Sequence, residues 1–195
     1  MTDTPAIVHR TPVELEAFLP EVLDAPKDAG TLDLVVRRPA ENEREVLAEG
    51  ELDVEAGLVG DRWCERAGDV AADSSYLDMQ LNVMSARMVA FLAGDPERRA
   101  LAGDQLYLDL DLSHENLPAG SRLVIGDPDE RGAVIEVTEE PHTGCSKFVE
   151  RFGAEAMRFV NGRTGRPLRL RGLNARVVVP GRVRPGDPVT VVRPG

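Results

Sequence analysis

The residue with most chemistry to offer is Cys145, which follows Pro141-His142-Thr143-Gly144 and opens a run, Ser146 to Phe152, that reads as a helix. A thiolate is both a nucleophile and a soft metal ligand, and unpaired N–H groups at a helix start favour an anion. Lys147, His142 and Arg151 lie close enough in sequence to add positive charge. This setting suits a sulfur carrier or a metal ligand; the plainer alternative is a buried, inert thiol. Cys64, after Gly60-Asp61-Arg62-Trp63, has no comparable neighbours and reads as structural, with a resolving partner for Cys145 as the second reading. Two cysteines and three histidines, widely spaced, do not make a four-ligand zinc site. Glu139 and Glu140 are adjacent on an extended stretch, so their side chains point to opposite faces rather than sharing acid–base work.

Anion binding is the other chemistry on offer. Only Lys27 and Lys147 are lysines, so nearly all positive charge is guanidinium, suited to bidentate contact with oxyanions. Residues 143–195 hold eleven cationic side chains against three acidic ones, within a chain of net charge −11. The acidic total argues against a nucleic-acid binder. No G-x-S-x-G, phosphate-binding loop or dinucleotide fingerprint is present. No stretch approaches the ~20 apolar residues of a membrane helix, and Met1 to Pro12 has no signal-peptide apolar region. A cytoplasmic protein with no membrane contact is expected, and two cysteines exclude a disulfide framework.

The elements that must position these residues are short. Apolar residues make up 42% of the chain and aromatics 4%, with 18 glycines and 14 prolines, so an aliphatic core and many turns are expected. Thr11-Pro12-Val13-Glu14 predicts a helix from Pro12 towards Leu23, kinked or ended at Pro20. Strands are expected over 31–38 and over 44–54, the second bent near Gly50, then a turn at 57–63 and a surface loop over 67–75. Further strands are expected over 76–84, 105–112, 121–125, 133–138, 174–179 and 189–192. Alternation in 105–112 places Asp109 and Asp111 on one exposed face. Ser85 caps a short helix through Leu92, another covers 96–101, and the helical run 145–160 breaks near Gly153. About eight strands with few helices predict a mainly β fold, a closed or nearly closed β-barrel with short peripheral helices. Residues 1–29 form a helical lead-in packed on a barrel of residues 30–195, in a single domain.

Three separated stretches carry a resemblance. They are Gly57-Leu58-Val59-Gly60-Asp61-Arg62; then Glu115-Asn116-Leu117 with Gly120, Leu123-Val124-Ile125-Gly126 and Val134 to Thr138; and Cys145 followed by Arg171-Gly172-Leu173-Asn174-Ala175-Arg176-Val177 and Gly181 to Asp187. In this order and spacing they resemble the MOSC domain, named from the C-terminal part of molybdenum cofactor sulfurases. The resemblance runs from about Thr31 onward. It implies a β-barrel with one reactive cysteine that binds the molybdenum cofactor (molybdopterin), handles sulfur as a persulfide, or reduces N-hydroxylated compounds. Cys145 would be the catalytic residue and the molybdenum ligand.

The family's cysteine commonly follows proline in a P-R-x-P-C type of run; here Gly144 stands where proline is frequent and His142 where arginine is frequent. The resemblance places Arg171, Arg176 and Arg62 nearest the cofactor, with His142 beside Cys145, Lys147 and Arg169 as weaker candidates, and Asn82 and Asn116 either as neutral amide contacts or as residues that fix a turn. The fused sulfurases carry a pyridoxal-phosphate desulfurase domain that 195 residues cannot add to a barrel, so no pyridoxal phosphate is expected. The expected partners are a small-molecule cofactor or substrate and a redox or sulfur-donor protein. A non-catalytic persulfide or cofactor carrier, and an anion-binding barrel with an inert cysteine, are the alternatives.

Overall fold

Aliphatic residues at alternate strand positions leave a sheet with one face to bury, and this chain buries it by closing the sheet on itself. The computed structural model describes residues 9–63, 74–127 and 129–195. Its strands are β1 (Ala29–Arg37), β2 (Glu45–Val46), β3 (Gly50–Asp53), β4 (Gly57–Leu58), β5 (Leu81–Ser85), β6 (Leu106–Asp109), β7 (Arg122–Ile125), β8 (Ala133–Val137), β9 (Leu173–Val179), β10 (Gly181–Val183) and β11 (Pro188–Val192). The order β11-β7-β8-β9-β5-β6-β1 closes through pairing of β1 with β11, which makes a barrel of seven strands, with β2 added beside β1. A small second sheet runs β10-β3-β4.

Around the barrel only β5 and β6 are parallel, and a parallel pair needs a crossover. It is supplied by a helix, Ala86–Ala93, and a 3-10 helix, Pro96–Ala102. With these the helices are α1 (Pro12–Ala17), α2 (Leu19–Leu23), α3 (Ser74–Leu77), α4 (Ala86–Ala93), α5 (Ser146–Phe152) and α6 (Ala154–Val160). Leu32, Leu81, Leu106, Leu123, Ile135 and Ala175 fill the barrel. Leu15, Met88, Tyr107, Phe148 and Phe152 form a second core, where the helices cover the barrel's outer wall.

Several boundaries follow local chemistry. Thr11 and Glu14 form a reciprocal capping box, and the predicted helix divides at Phe18 so that Pro20 falls in the first turn of α2. The strand expected over 44–54 is β2 and β3, and part of the expected turn at 57–63 is β4. Asp53 makes the intervening corner by accepting the N–H groups of Glu55 and Ala56. The strand expected from Tyr76 begins only at Leu81, and Ser74–Leu77 is helical. Gln80 replaces the missing ladder there: its amide donates to Val54 O and its Oε1 accepts the Val177 N–H. Asp109 and Asp111 do not share an open face, for Asp109 pairs with Arg87 and Asp111 accepts the Ser113 N–H beyond the strand end. Residues 67–73 of the expected loop, and Cys64, lie outside the described residues. Among those described, no helix is long and apolar enough to cross a membrane.

Candidate functional site

Thr138 to Cys145 leaves β8 and runs without regular structure to α5. It is pinned along its length: Thr138 Oγ1 donates to Asp78 O at 2.6 Å, Asn174 Nδ2 donates to Glu140 O, and Gly144 N–H donates to Asn161 Oδ1 at 3.2 Å. A Cβ on Gly144 would lie 2.4 Å from Met157 Sδ, and a proline there would lose the N–H that Asn161 holds. This accounts for glycine before the cysteine. Cys145 is the N-cap residue of α5, its thiol exposed and, among the described residues, without a hydrogen bond.

Beside it opens a cleft of 520 Å³, walled by the loop after β1, the Arg62-Trp63 turn, the end of the 3-10 helix and α5. Six cationic side chains line it, and they divide into two sets. Arg38 makes a two-pronged contact with Asp61 at 2.8 Å and also donates to Asn82 Oδ1 and Gly103 O. Arg171 pairs with Asp104 and Lys147 with Glu41. Arg44, Arg62 and Arg151 have no carboxylate within ion-pair distance among the described residues. Arg44 is held below its ordinary pKa by burial and then by the Arg151 and Arg38 charges. Among the described residues, its Nε, Trp63 Nε1 and Arg171 Nε are buried without a hydrogen-bond partner. Among the described residues the cleft therefore gathers more positive charge than its carboxylates neutralise, a setting suited to an anionic group.

Behind the cleft lies a buried knot. Asp104 is fully buried, and both its oxygens lie 2.8 Å from Arg171 Nη1, with Oδ1 also 2.6 Å from His142 Nε2. Burial alone would raise the Asp104 carboxyl, but Arg171 and His142 outweigh it and hold it below its usual range. Burial, and next the Arg171 charge, push His142 down against the pull of Asp104, so the imidazole is neutral at pH 7 and donates through Nε2. Nδ1 is left as an acceptor. Arg171 also lies over the Phe148 ring, 5.0 Å from its centre, which ties the knot to α5. Gly172, at φ +113, lets β9 start against this group; a Cβ there would meet Val83 O at 2.2 Å and His142 at 3.0 Å.

Of the residues singled out from sequence, Cys145, Arg62, Asn82, His142, Lys147 and Arg171 meet at this cleft. Asn116 and Arg176 do not. Asn116 donates to Lys27 O and Asp111 O, tying loops elsewhere on the barrel. Arg176 lies outside on β9, paired with Asp78 and with Glu136 across the strand. Arg38 and Arg44 were not singled out. The signal they carry is an arginine on each side of a tight loop, Pro39 to Glu43, where Asn42 takes φ +66. Among the described residues no group of three or more His, Cys, Asp or Glu side chains gathers as a metal site.

No family model matches the chain, and no curated protein matches it. Solved structures share its architecture. YuaD from Bacillus subtilis is 16% identical with a TM-score of 0.60, covering 86% of this chain and 97% of that one. YiiM from Escherichia coli is 21% identical with a TM-score of 0.52, covering 85% of this chain and 71% of its own. YiiM from Geobacillus stearothermophilus is 17% identical with a TM-score of 0.50, covering 84% and 73%. At these identities the likeness is one of fold.

Proposed function

We propose that this chain is a MOSC-type protein that binds the molybdenum cofactor in the cationic cleft, with Cys145 as its sulfur ligand or sulfur-transfer group. The ordered motifs from Gly57 to Asp187 support this reading, as does a barrel of the kind seen in YuaD and YiiM. The observation that carries it is the exposed Cys145 thiol opening onto the same cleft as Arg44, Arg62 and Arg151, three guanidinium groups without carboxylates among the described residues.

The donor set fits such a group. A pterin phosphate needs oxyanion donors, which Arg44, Arg62 and Arg151 supply, and a thiophilic metal needs a soft ligand, which Cys145 supplies. When bound, the cofactor contributes oxygen- or sulfur-atom transfer at its metal. The chain's part is positional. Arg38 and Arg171, committed to Asp61 and Asp104, fix the walls, and Glu41 keeps Lys147 at the rim. Gly144 and Asn161 hold the approach to Cys145, and the neutral His142 lends an acceptor nitrogen in the cleft wall. An external redox or sulfur-donor protein is the partner this chemistry requires.

The test is molybdenum and pterin content after purification from a host that makes the cofactor. Near-stoichiometric molybdenum is expected in the native protein, lost in Cys145→Ala and reduced in Arg44→Gln while both variants stay folded. Equal metal-free protein from all three would overturn the cofactor reading. The exposure of Cys145 favours a persulfide carrier as the second reading, and sulfur transfer from labelled persulfide to Cys145 in metal-free protein would support it.

A further inference from the structure

A second pocket lies on the far side of the 141–143 segment. It measures 260 Å³, and His142, Thr143 and Arg171 stand in the walls of both it and the Cys145 cleft. Its chemistry differs. Pro141, Val160 and Leu173 give it an apolar lining, and Arg169 sits in its wall with only 8% of its surface exposed. Arg169 donates from Nη1 to Leu117 O at 2.7 Å, and among the described residues it has no other side-chain bond and no carboxylate within ion-pair distance. Arg171, two residues on, is as deeply buried but is ion-paired with Asp104. A guanidinium sunk in an apolar wall without a counter-ion is costly unless something anionic meets it.

The backbone is bent to put it there. Arg169 takes φ +47, a left-handed conformation that an arginine rarely adopts, inside a turn closed by its N–H to Arg166 O and by Gly172 N–H to its own carbonyl. Burial alone pushes its pKa down to about 10, with no carboxylate pulling the other way. Arg166 and His114 stand at the same pocket, and His114 is itself held low by burial and by Arg169.

We infer that this pocket binds a small monocarboxylate with an apolar body, its carboxylate seated on the Arg169 guanidinium. The planar fork of arginine matches two carboxylate oxygens. The volume falls below the ~300 Å³ at which drug-sized ligands begin, so the body is about the size of one ring. Glu139 and Glu140 are also in the wall, and their charge disfavours a phosphate dianion over a single carboxylate. The site requires neither Cys145 nor a cofactor, so its failure and that of the cofactor reading are separable.

Calorimetric titration of the full-length protein with sodium benzoate, benzyl alcohol and inorganic phosphate tests this, with amide NMR shifts to locate the ligand. Saturable benzoate binding is expected, shifting Gly165, Arg169 and Gly172, with benzyl alcohol and phosphate at least about tenfold weaker. Arg169→Gln should weaken benzoate by a similar factor. Because that variant keeps an unfavourable backbone, Arg169→Gly, which suits φ +47, is the second. It should melt cooperatively and lose benzoate. No saturable benzoate binding, equal affinity in folded Arg169→Gly, equal affinity for the alcohol, or shifts confined to the Cys145 cleft would each overturn the inference.

Discussion

Arg169 and Arg171 stand two positions apart, both buried, and burial has opposite consequences for them. Arg171 is neutralised by Asp104, so removing it strips a buried carboxylate of its guanidinium partner and leaves His142 as its remaining side-chain contact. Arg171→Met is therefore expected to destabilise the fold by roughly 3–5 kcal/mol, and Arg171→Met with Asp104→Leu to recover much of that loss. Urea denaturation of the two variants reads the difference. His142 gives the same knot a pH dependence. Its folded pKa is depressed, so below the ordinary value of about 6.5 the unfolded chain takes up a proton that the folded one does not. Stability is full above that value and falls as pH drops through it, by at most about 1.4 kcal/mol per pH unit for one proton. His114 shifts in the same direction, so the difference between native protein and His142→Gln isolates the His142 share, measured as melting temperature from pH 7.5 to 5.5.

At the level of elements, the approach to Cys145 depends on a residue with no side chain. Gly144→Pro removes the N–H held by Asn161 and pushes atoms into Met157. A loss of about 1–3 kcal/mol is expected, with a changed rate of Cys145 alkylation, both read on the same sample. Elements with a cap or a long period were legible in the sequence: the Thr11 cap, the Ser85 cap and the break at Gly153 all stand in the structure. β4 and β10 were not, because two or three residues carry no period. The 76–84 stretch misled because Gln80's side chain does the work of a backbone ladder. At the site, residue type was legible but direction was not. Asn116 and Arg176 are the right chemistry turned elsewhere, one spent on loop carbonyls and one paired with Glu136 directly opposite on the neighbouring strand. Arg44 joins Cys145 from far along the chain, through barrel closure that no local pattern reports.

For the molecule as a whole, a net charge of −11 repels anions at long range, while Arg44, Arg62 and Arg151 in the cleft are expected to attract them close in. A negatively charged aromatic disulfide should therefore modify Cys145 faster than a neutral disulfide of equal intrinsic reactivity. Arg44→Gln with Arg151→Gln should cut that preference by about threefold to tenfold, while salt, screening over ~8–10 Å, narrows it. Stopped-flow absorbance at varied ionic strength reads all of this. The barrel itself closes where Ala29 to Thr31 pair with Thr190 to Pro188, so the first residues of β1, ahead of those that pair with β2, find their partner on that side in β11. During synthesis β1 must therefore wait, one edge bare, until residue 192 has cleared the ribosome. A nascent chain stalled before that point is expected to expose the start of β1 as a strand edge that a chaperone can hold.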